Sequence, residues 1–523
     1  MYQQVRDPVG GSLGLSTLFA VLPLVTLFAL LAGLRLRAYR AGLIALAVAL
    51  VVAIAVYGMP VGQAFGSAAE GAAFGLFPVV WIVVNAVWIY TMTVATGHFH
   101  TLRDGVVAVS GDQRIQALIV AFSFGALLEA LAGFGAPVAI TVGMLLALGF
   151  EPLKAVGAAL IGNTAPAAFG AIATPIVTLA GVTGIGERDL GAMIGRQLPF
   201  LALLVPFVVV YMVDGRRGLR ETWPVALAAG STFAAGQFIT SNYVAVELTD
   251  VIASLASLGA ITAYLWVRHR PATARRRIGR GTIAALSPYL ILIAVLSLAQ
   301  VGHIKRFVAD RGGSVRWPGL DVRSASGEEL PALTFKLDWL AAPGTLLLLS
   351  GLLTVLALHI QPRVALHAYV DTVVRLREAI LTIACVLAVA YVMNLSGQTE
   401  TIGLWAAGAG GIFALIAPLI GWFGVAVTGS VTSSNSLLGE LQVAAAHHAG
   451  LSPTLVAAAN SSGGVLAKML SAQHLAIAAA AAGMIGREGD VMRSVLRWSF
   501  TLVAVMCVIV YLQSTAALGW MVP

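Results

Sequence analysis

One carboxyl, one ammonium and a few amides and hydroxyls interrupt this chain where the surrounding residues suit hydrocarbon, so whatever chemistry it performs must run through them. Glu129 stands in FSFGALLEALAGFGAPVAI. An ionisable group at membrane depth is expensive and by default functional, and a carboxyl there can take up and return a proton. Its structural reading is a glutamate that only fixes helix packing. Lys468, in SSGGVLAKML, would attract an anion; the competing reading is a lysine snorkelling from a helix end. His474 stands close behind it, and histidine is suited to relaying protons near neutral pH. His447 and His448 sit beside the turn GLSP, a placement that better fits a solvated helix end. Arg196 follows a loop by a few residues and reads as a snorkelling side chain. Glu70, in GSAAEGAAFG, reads equally well as an exposed carboxylate.

Around these charges run two stretches too apolar for water and too broken for plain membrane helices, Phe122 to Pro175 and Gly421 to Gln473. The first breaks at Gly133, Phe134, Gly135, Ala136 and Pro137, and again at Asn163 and Thr164. The second breaks at Thr428, Gly429, Ser430, Val431, Thr432, Ser433, Ser434 and Asn435, and again at Asn460, Ser461, Ser462, Gly463 and Gly464. Irregular backbone at membrane depth is tolerated only where protein buries it or where it lines a cavity. An interrupted helix also presents unpaired N–H groups and the positive end of its dipole. Two facing breaks therefore suit a small carboxylate, with Ser, Thr and Asn side chains as partners for a hydroxyl. The same side chains also serve as hydrogen-bonding glue between helices.

Composition sets the class. With 59% hydrophobic residues, 10% charged and a mean hydropathy of +0.92, the chain is far from the roughly 25% charged of soluble domains. It reads as an all-α polytopic integral membrane protein with discontinuous, broken or re-entrant helices. At about 20 apolar residues per span, roughly 12 to 14 segments fit. The net charge of +8 comes from arginines in short runs between apolar segments, not along one face, so no nucleic-acid partner is expected. Cys385 and Cys507 both fall inside apolar helices, which leaves no disulfide framework or cysteine metal site. No cofactor is expected.

The basic runs report orientation by the positive-inside rule. Arg35, Arg37 and Arg40; Arg216, Arg217 and Arg220; Arg268, Arg270, Arg275, Arg276, Arg277 and Arg280; Arg363, Arg375 and Arg377; and Arg487, Arg493 and Arg497 mark inside loops. The near-neutral connection from Gly302 to Asp338, with Asp310 and Glu328 among its acids, goes outside, as do both termini. The first apolar stretch, about Leu13 to Leu34, is too long for a signal-peptide core and reads as a retained helix.

The halves repeat one another in order: a helix ending near Gly97 or Gly397, a break, a turn (GFEP from Gly149, GLSP from Gly450), then a second break at Asn163 or Asn460. The basic residues predict opposite orientations for the two. Inverted repeats with discontinuous helices are the pattern of secondary transporters, whose site lies near the midplane between the repeats. The expected organisation is a helix pair over 1–60, a first repeat over 61–213, connecting helices over 214–360, a second repeat over 361–485 and a last helix over 486–523.

At these residues the chain resembles the lactate permease family of bacterial 2-hydroxymonocarboxylate transporters, nearly end to end. The most specific segments are LAGFGAPVAITVGMLLALGFEPLKA with GNTAPAAFGAIATP, and GWFGVAVTGSVTSSNSLLGELQ with AANSSGGVLAKMLSAQ. The resemblance implies a multi-pass inner-membrane protein that moves L-lactate, and in some members D-lactate or glycolate, together with protons. The chain departs from the family at Val431, where an aspartate is common after TGS, and in carrying Ser471, Ala472 and Gln473 where the family has serine-proline-glutamine. Gln473 is counted with the substrate-binding residues, and Glu129 and His474 with proton coupling. The missing acid at Val431 leaves the coupling ion and the preferred acid open. The alternatives are a carrier of another small carboxylate with a different ion, or a passive anion channel. Motifs of hydrolytic enzymes are missing, and whether the chain forms a homodimer stays open.

Overall fold

Backbone polar groups in hydrocarbon must be satisfied within the chain, and nearly all of this apolar sequence is accordingly helical. The structure, a computed structural model, describes residues 1–523 apart from 35, 108, 134, 270–279, 300, 310, 328 and 331–332. Arg35, Phe134, Arg270, Arg275, Arg276, Arg277, Asp310 and Glu328 thus lie outside the described residues. Among the described residues nine helices are long and apolar enough to span a membrane, and a tenth passes if the bent pair Pro453–Leu470 and Ala472–Ala481 counts as one. Five shorter apolar helices accompany them. Leu18, Val51, Phe200, Trp223, Leu366 and Phe423 stay exposed on the flanks, as lipid-facing side chains do.

The elements that position the site are α1 (Ala38–Ala55), α2 (Trp81–Ala95), α3 (Gly125–Ala132), α4 (Ala136–Ala147), α5 (Pro152–Gly162), α6 (Gly170–Thr183), α7 (Glu187–Tyr243) and α8 (Thr249–His269). In the second half they are α9 (Pro362–Ser396), α10 (Phe413–Thr428), α11 (Val431–Ala449), α12 (Pro453–Gly464), α13 (Ala472–Ala481) and α14 (Glu488–Gln513). The 57 residues of α7 are two helices joined where Asp214 and Gly215 leave helical geometry. The chain turns back there, since Gly230 lies against the backbone of Ala202 and Leu203.

The repeats are inverted. α1 runs from Arg37 to Tyr57, whose carbonyl accepts from Tyr2 Oη, as does that of Ser396 at the end of α9. Tyr2, Tyr57 and Gly397 therefore share one end of the bundle, opposite Arg37. The GLSP turn is at the Tyr2 end, because His448 beside it meets Glu400. The GFEP turn is at the other, because Gln113 Nε2 reaches the carbonyl of Gly149 and the neighbouring Arg114 pairs with Asp214 and Glu221.

Contacts between the repeats obey the same exchange. α4 packs on α13 while α11 packs on α6, and α5 packs on α14 while α12 packs on α7; α2 meets its own counterpart α9. By this pairing α14 answers the first half of α7. Close helix crossings use glycine: a Cβ on Gly421 would strike the Asn460 carbonyl, and one on Gly463 the Pro418 carbonyl.

The breaks differ in place and length from those the sequence predicts. Between α10 and α11 only Gly429, left-handed at φ 74°, and Ser430 are non-helical. Ser430 Oγ accepts from Ser433 N at 3.2 Å, an N-cap that starts α11 at Val431. The second break of that repeat comes after Asn460, where Val465–Leu470 tightens into a 3-10 turn and Ser471 is extended. In the first repeat Asn163 does end α5, and residues 163–169 form the break. Ala171, Ile172 and Ala173 then take left-handed φ of 44°, 53° and 57°, a run that costs L-residues about 1–2 kcal/mol each.

Candidate functional site

A cavity of about 420 Å³ lies where these breaks meet. Its mouth carries Arg37, Tyr39 and Glu378, with Arg37 Nη1 paired to Glu378 Oε1 at 2.7 Å and both side chains about half exposed. Its wall is Ala167, Gly170 and Ala171 from the first repeat and Thr428 to Ser433 from the second, with Glu129, Lys468 and His474 among the other lining residues. At about 30 Å³ per water, it has room for a small acid and several waters.

Each repeat supplies one charge. Lys468 Nζ stands 2.5 Å from Glu129 Oε1, and Asn163 Nδ2 donates to Glu129 Oε2 at 2.9 Å. Glu129 is 3% exposed and Lys468 6%. Desolvating two such ions is costly, and their attraction repays it only with good geometry and added hydrogen bonds; Asn163 supplies one of these. Lys468 is thus no snorkelling lysine. It sits in the 3-10 turn that replaces the last helical turn before the break.

Beside this pair α11 points its N-terminus at the cavity, since Val431, Thr432 and Ser433 all line it. The Ser430 cap satisfies Ser433 N. The N–H groups of the first turn otherwise have no intrahelical acceptor, so the positive end of the helix faces the hollow. His474 is 1% exposed; its Nδ1 is 2.9 Å from Ser471 Oγ, and its Nε2 has no partner among the described residues. The site therefore offers an ammonium, a helix N-terminus, hydroxyls and one unspent imidazole nitrogen, against two carboxylates that are both already paired, Glu129 with Lys468 and Glu378 with Arg37.

Of the residues expected to bind substrate, Gly133, Ser430, Thr432, Ser433, Lys468 and Gln473 line the cavity, together with Glu129 and His474. Asn163 touches it through Glu129. The others among the described residues stand behind the wall. Asn435 Nδ2 donates to Ser461 Oγ at 2.7 Å and to the Pro175 carbonyl at 2.9 Å, and Asn460 Nδ2 donates to Asn435 Oδ1 at 2.9 Å. These three fasten α11 to α12 and to α6, which is the glue role. Ser434 Oγ bonds the Gly421 carbonyl, Thr164 Oγ1 the Ile161 carbonyl, and Ser462 is wholly buried. Gly135 faces Ile477 of α13, and Ala136 opens α4 outside the lining. The supposed match of Asn163 with Asn460 fails by about a turn, because the first closes its helix and the second lies inside one. Glu70 is 1% exposed, not a surface carboxylate.

Three residues that sequence reasoning passed over belong to the site's surroundings. Arg37 and Glu378 guard the mouth. Asp250, in the first turn of α8, is 1% exposed and accepts from Gln237 Nε2 at 3.1 Å. The available signal was an acid opening an apolar helix, which ordinarily reads as a favourable charge at a helix N-terminus.

Inverted repeats whose interrupted helices enclose a polar hollow open toward one end are an architecture found among membrane transporters. The sequence matches the L-lactate permease family over residues 16–516, and the chain belongs to that family. It is 41% identical to the L-lactate permease of Salmonella typhimurium, over 100% of both chains. It is 40% identical to the glycolate permease of Escherichia coli, over 100% of this chain and 99% of that one, and 39% identical to the L-lactate permease of Bacillus subtilis, over 100% of both. Among solved structures, the YdaH transporter of Alcanivorax borkumensis aligns with a TM-score of 0.48 at 14% identity, covering 87% of this chain and 88% of that one. The protein is a multi-pass inner-membrane transporter.

Proposed function

We propose that this protein is a proton-coupled symporter of L-lactate or a related small 2-hydroxymonocarboxylate such as glycolate. The observation that carries the reading is the Glu129–Lys468 pair, buried on the cavity wall with one partner from each repeat. Both substrate names belong to its relatives. In an empty site the two charges cancel. A substrate carboxylate entering the cavity competes with Glu129 for Lys468 and for the α11 N-terminus. Once it takes the ammonium, the Glu129 carboxylate is left desolvated without a counter-ion, and binding a proton removes that charge. Anion and proton then cross together as a neutral load. Either one alone would leave a net charge inside the bundle, so uncoupled movement is disfavoured by the same desolvation cost.

A hydroxyl on the second carbon fits the remaining donors and acceptors: Thr428, Ser430, Thr432, Ser433, Gln473 and the open Nε2 of His474. The absence of an acid at Val431 is compatible with this scheme, since Glu129 already supplies the titrating group.

The test is uptake of labelled lactate by proteoliposomes of the purified protein, run at two pH values with and without sodium and against glycolate, pyruvate and longer carboxylates. Accumulation driven by an inward proton gradient, independent of sodium and inhibited best by 2-hydroxy acids, is expected. Uptake that only equilibrates and ignores an uncoupler would mark a passive channel instead.

A further inference from the structure

Asp250 is a buried titratable group that this exchange leaves unused. Its Oδ1 accepts from Gln237 Nε2 at 3.1 Å, and its Oδ2 has no partner among the described residues. The Gln237 nitrogen also donates to the Ala165 carbonyl at 3.2 Å. Ala165 belongs to the 163–169 break, whose first residue Asn163 holds Glu129. Both carboxyls are thus tethered to one short irregular segment, and Glu129 and Lys468 are near enough for their charges to act on Asp250. Of the helices packed on α8, α6 carries no charged side chain and α3 only Glu129; on α7, Arg196 is spent on Asn242 Oδ1 and the Met521 carbonyl, and Glu187 interacts with Glu247 nearer the helix ends.

Location gives Asp250 its use. The cavity opens at the Arg37 end. Asp250 lies toward the opposite end, because Val246, just before α8, fills the space beside Gly191 at the start of α7. That start follows Val182, whose carbonyl meets Asn394 near Gly397. A carboxylate buried with no cation beside it is far costlier than a neutral carboxyl.

We propose that Asp250 is a proton relay, taking a proton at the Tyr2 end and passing it to Glu129 when substrate draws Lys468 away. The O–H bond on Asp250 breaks, the Glu129 carboxylate gains the proton, and Asp250 is left as a carboxylate that water reprotonates when that end opens. Gln237 is a positioning residue, its amide donating to Oδ1 in either state. The relay rests on the coupling role given to Glu129 above.

The test uses the full chain in proteoliposomes with labelled lactate. Asp250→Asn keeps the shape and the uncharged state but cannot release a proton. Gradient-driven accumulation should fall about tenfold or more, on the scale of losing a proton-transferring group, while lactate counterflow persists. Asp250→Glu, which keeps a titratable group, should retain accumulation with a displaced pH profile. Wild-type accumulation and an unchanged pH profile in Asp250→Asn overturn the relay, as does equal loss of counterflow and accumulation in both variants, which marks a structural residue. Glu129→Gln run alongside separates the two ideas: if it abolishes accumulation and Asp250→Asn does not, the relay alone is wrong; if neither does, the coupling role of Glu129 is wrong as well.

Discussion

Asn163 donates to Glu129 Oε2 at 2.9 Å, while Asn460, near its place in the other repeat, donates at the same distance to Asn435 Oδ1 and leaves the cavity alone. The inverted repeats thus share a skeleton and divide the labour. One amide holds the carboxyl on the cavity wall, and the other holds two helices together. The ammonium that answers Glu129 comes from Lys468, about two turns beyond Asn460, and reaches across the repeat interface.

Removing one member of the pair should cost more than removing both. Lys468→Met leaves Glu129 buried and unpaired and should destabilise the protein by about 3–5 kcal/mol. Glu129→Gln together with Lys468→Met should recover most of that, while neither protein transports. Thermal unfolding in detergent checks this; a single Lys468→Met as stable as wild type would show that the two charges do not depend on each other.

Glu129→Gln should separate exchange from accumulation. The amide still accepts from Asn163 through its oxygen but carries no charge to release or take. Lactate counterflow should continue and uphill uptake should stop. Persistent accumulation against a gradient would make Glu129 a packing residue.

The general plan was legible because membrane physics writes it in large signals. Hydrocarbon-length segments and the two turns GFEP and GLSP gave a helical membrane protein with inverted repeats, and the structure bears out the inversion. What sequence could not resolve was which face of each break a side chain takes. Thr432, Ser433, Ser434 and Asn435 are consecutive polar residues, yet Ser430 starts a helix one residue earlier, and helical rotation sends Thr432 and Ser433 to the cavity and Ser434 and Asn435 into the interface. Asp250 was hidden for a related reason: an acid at a helix start is usually solvated, and only tertiary packing buries this one.

The left-handed run after the first break should be a store of strain. Glycine tolerates positive φ without a Cβ clash, so Ala171→Gly or Ala173→Gly should stabilise this conformation by about 1–2 kcal/mol, at positions where φ is 44° and 57°. A higher melting temperature is expected. With the cavity-open state favoured, turnover should slow. A lower melting temperature in both variants would contradict the account.

At the Arg37 end, Arg114 binds Asp112, Asp214 and Glu221 and thereby fixes the turn at Asp214 between the two halves of α7. The hydrogen bond from the Arg114 side chain holds the Asp112 carboxyl below its usual range. A lowered folded value means that this stability is complete above the unfolded pKa of about 3.9, and is lost as pH falls through the folded value. Arg114→Gln should therefore lower the melting temperature by the same amount at pH 7 and pH 6. A gap that narrows over that interval would point to a group other than Asp112.

The most direct measurement follows proton and substrate together. Lactate is added outside lightly buffered proteoliposomes with no imposed pH gradient, and internal pH is read with a trapped dye while labelled lactate is counted. The account expects the interior to acidify as lactate enters, with the protons rising in proportion to the lactate and both signals lost in Glu129→Gln. Lactate entry with an unchanged interior pH would contradict it.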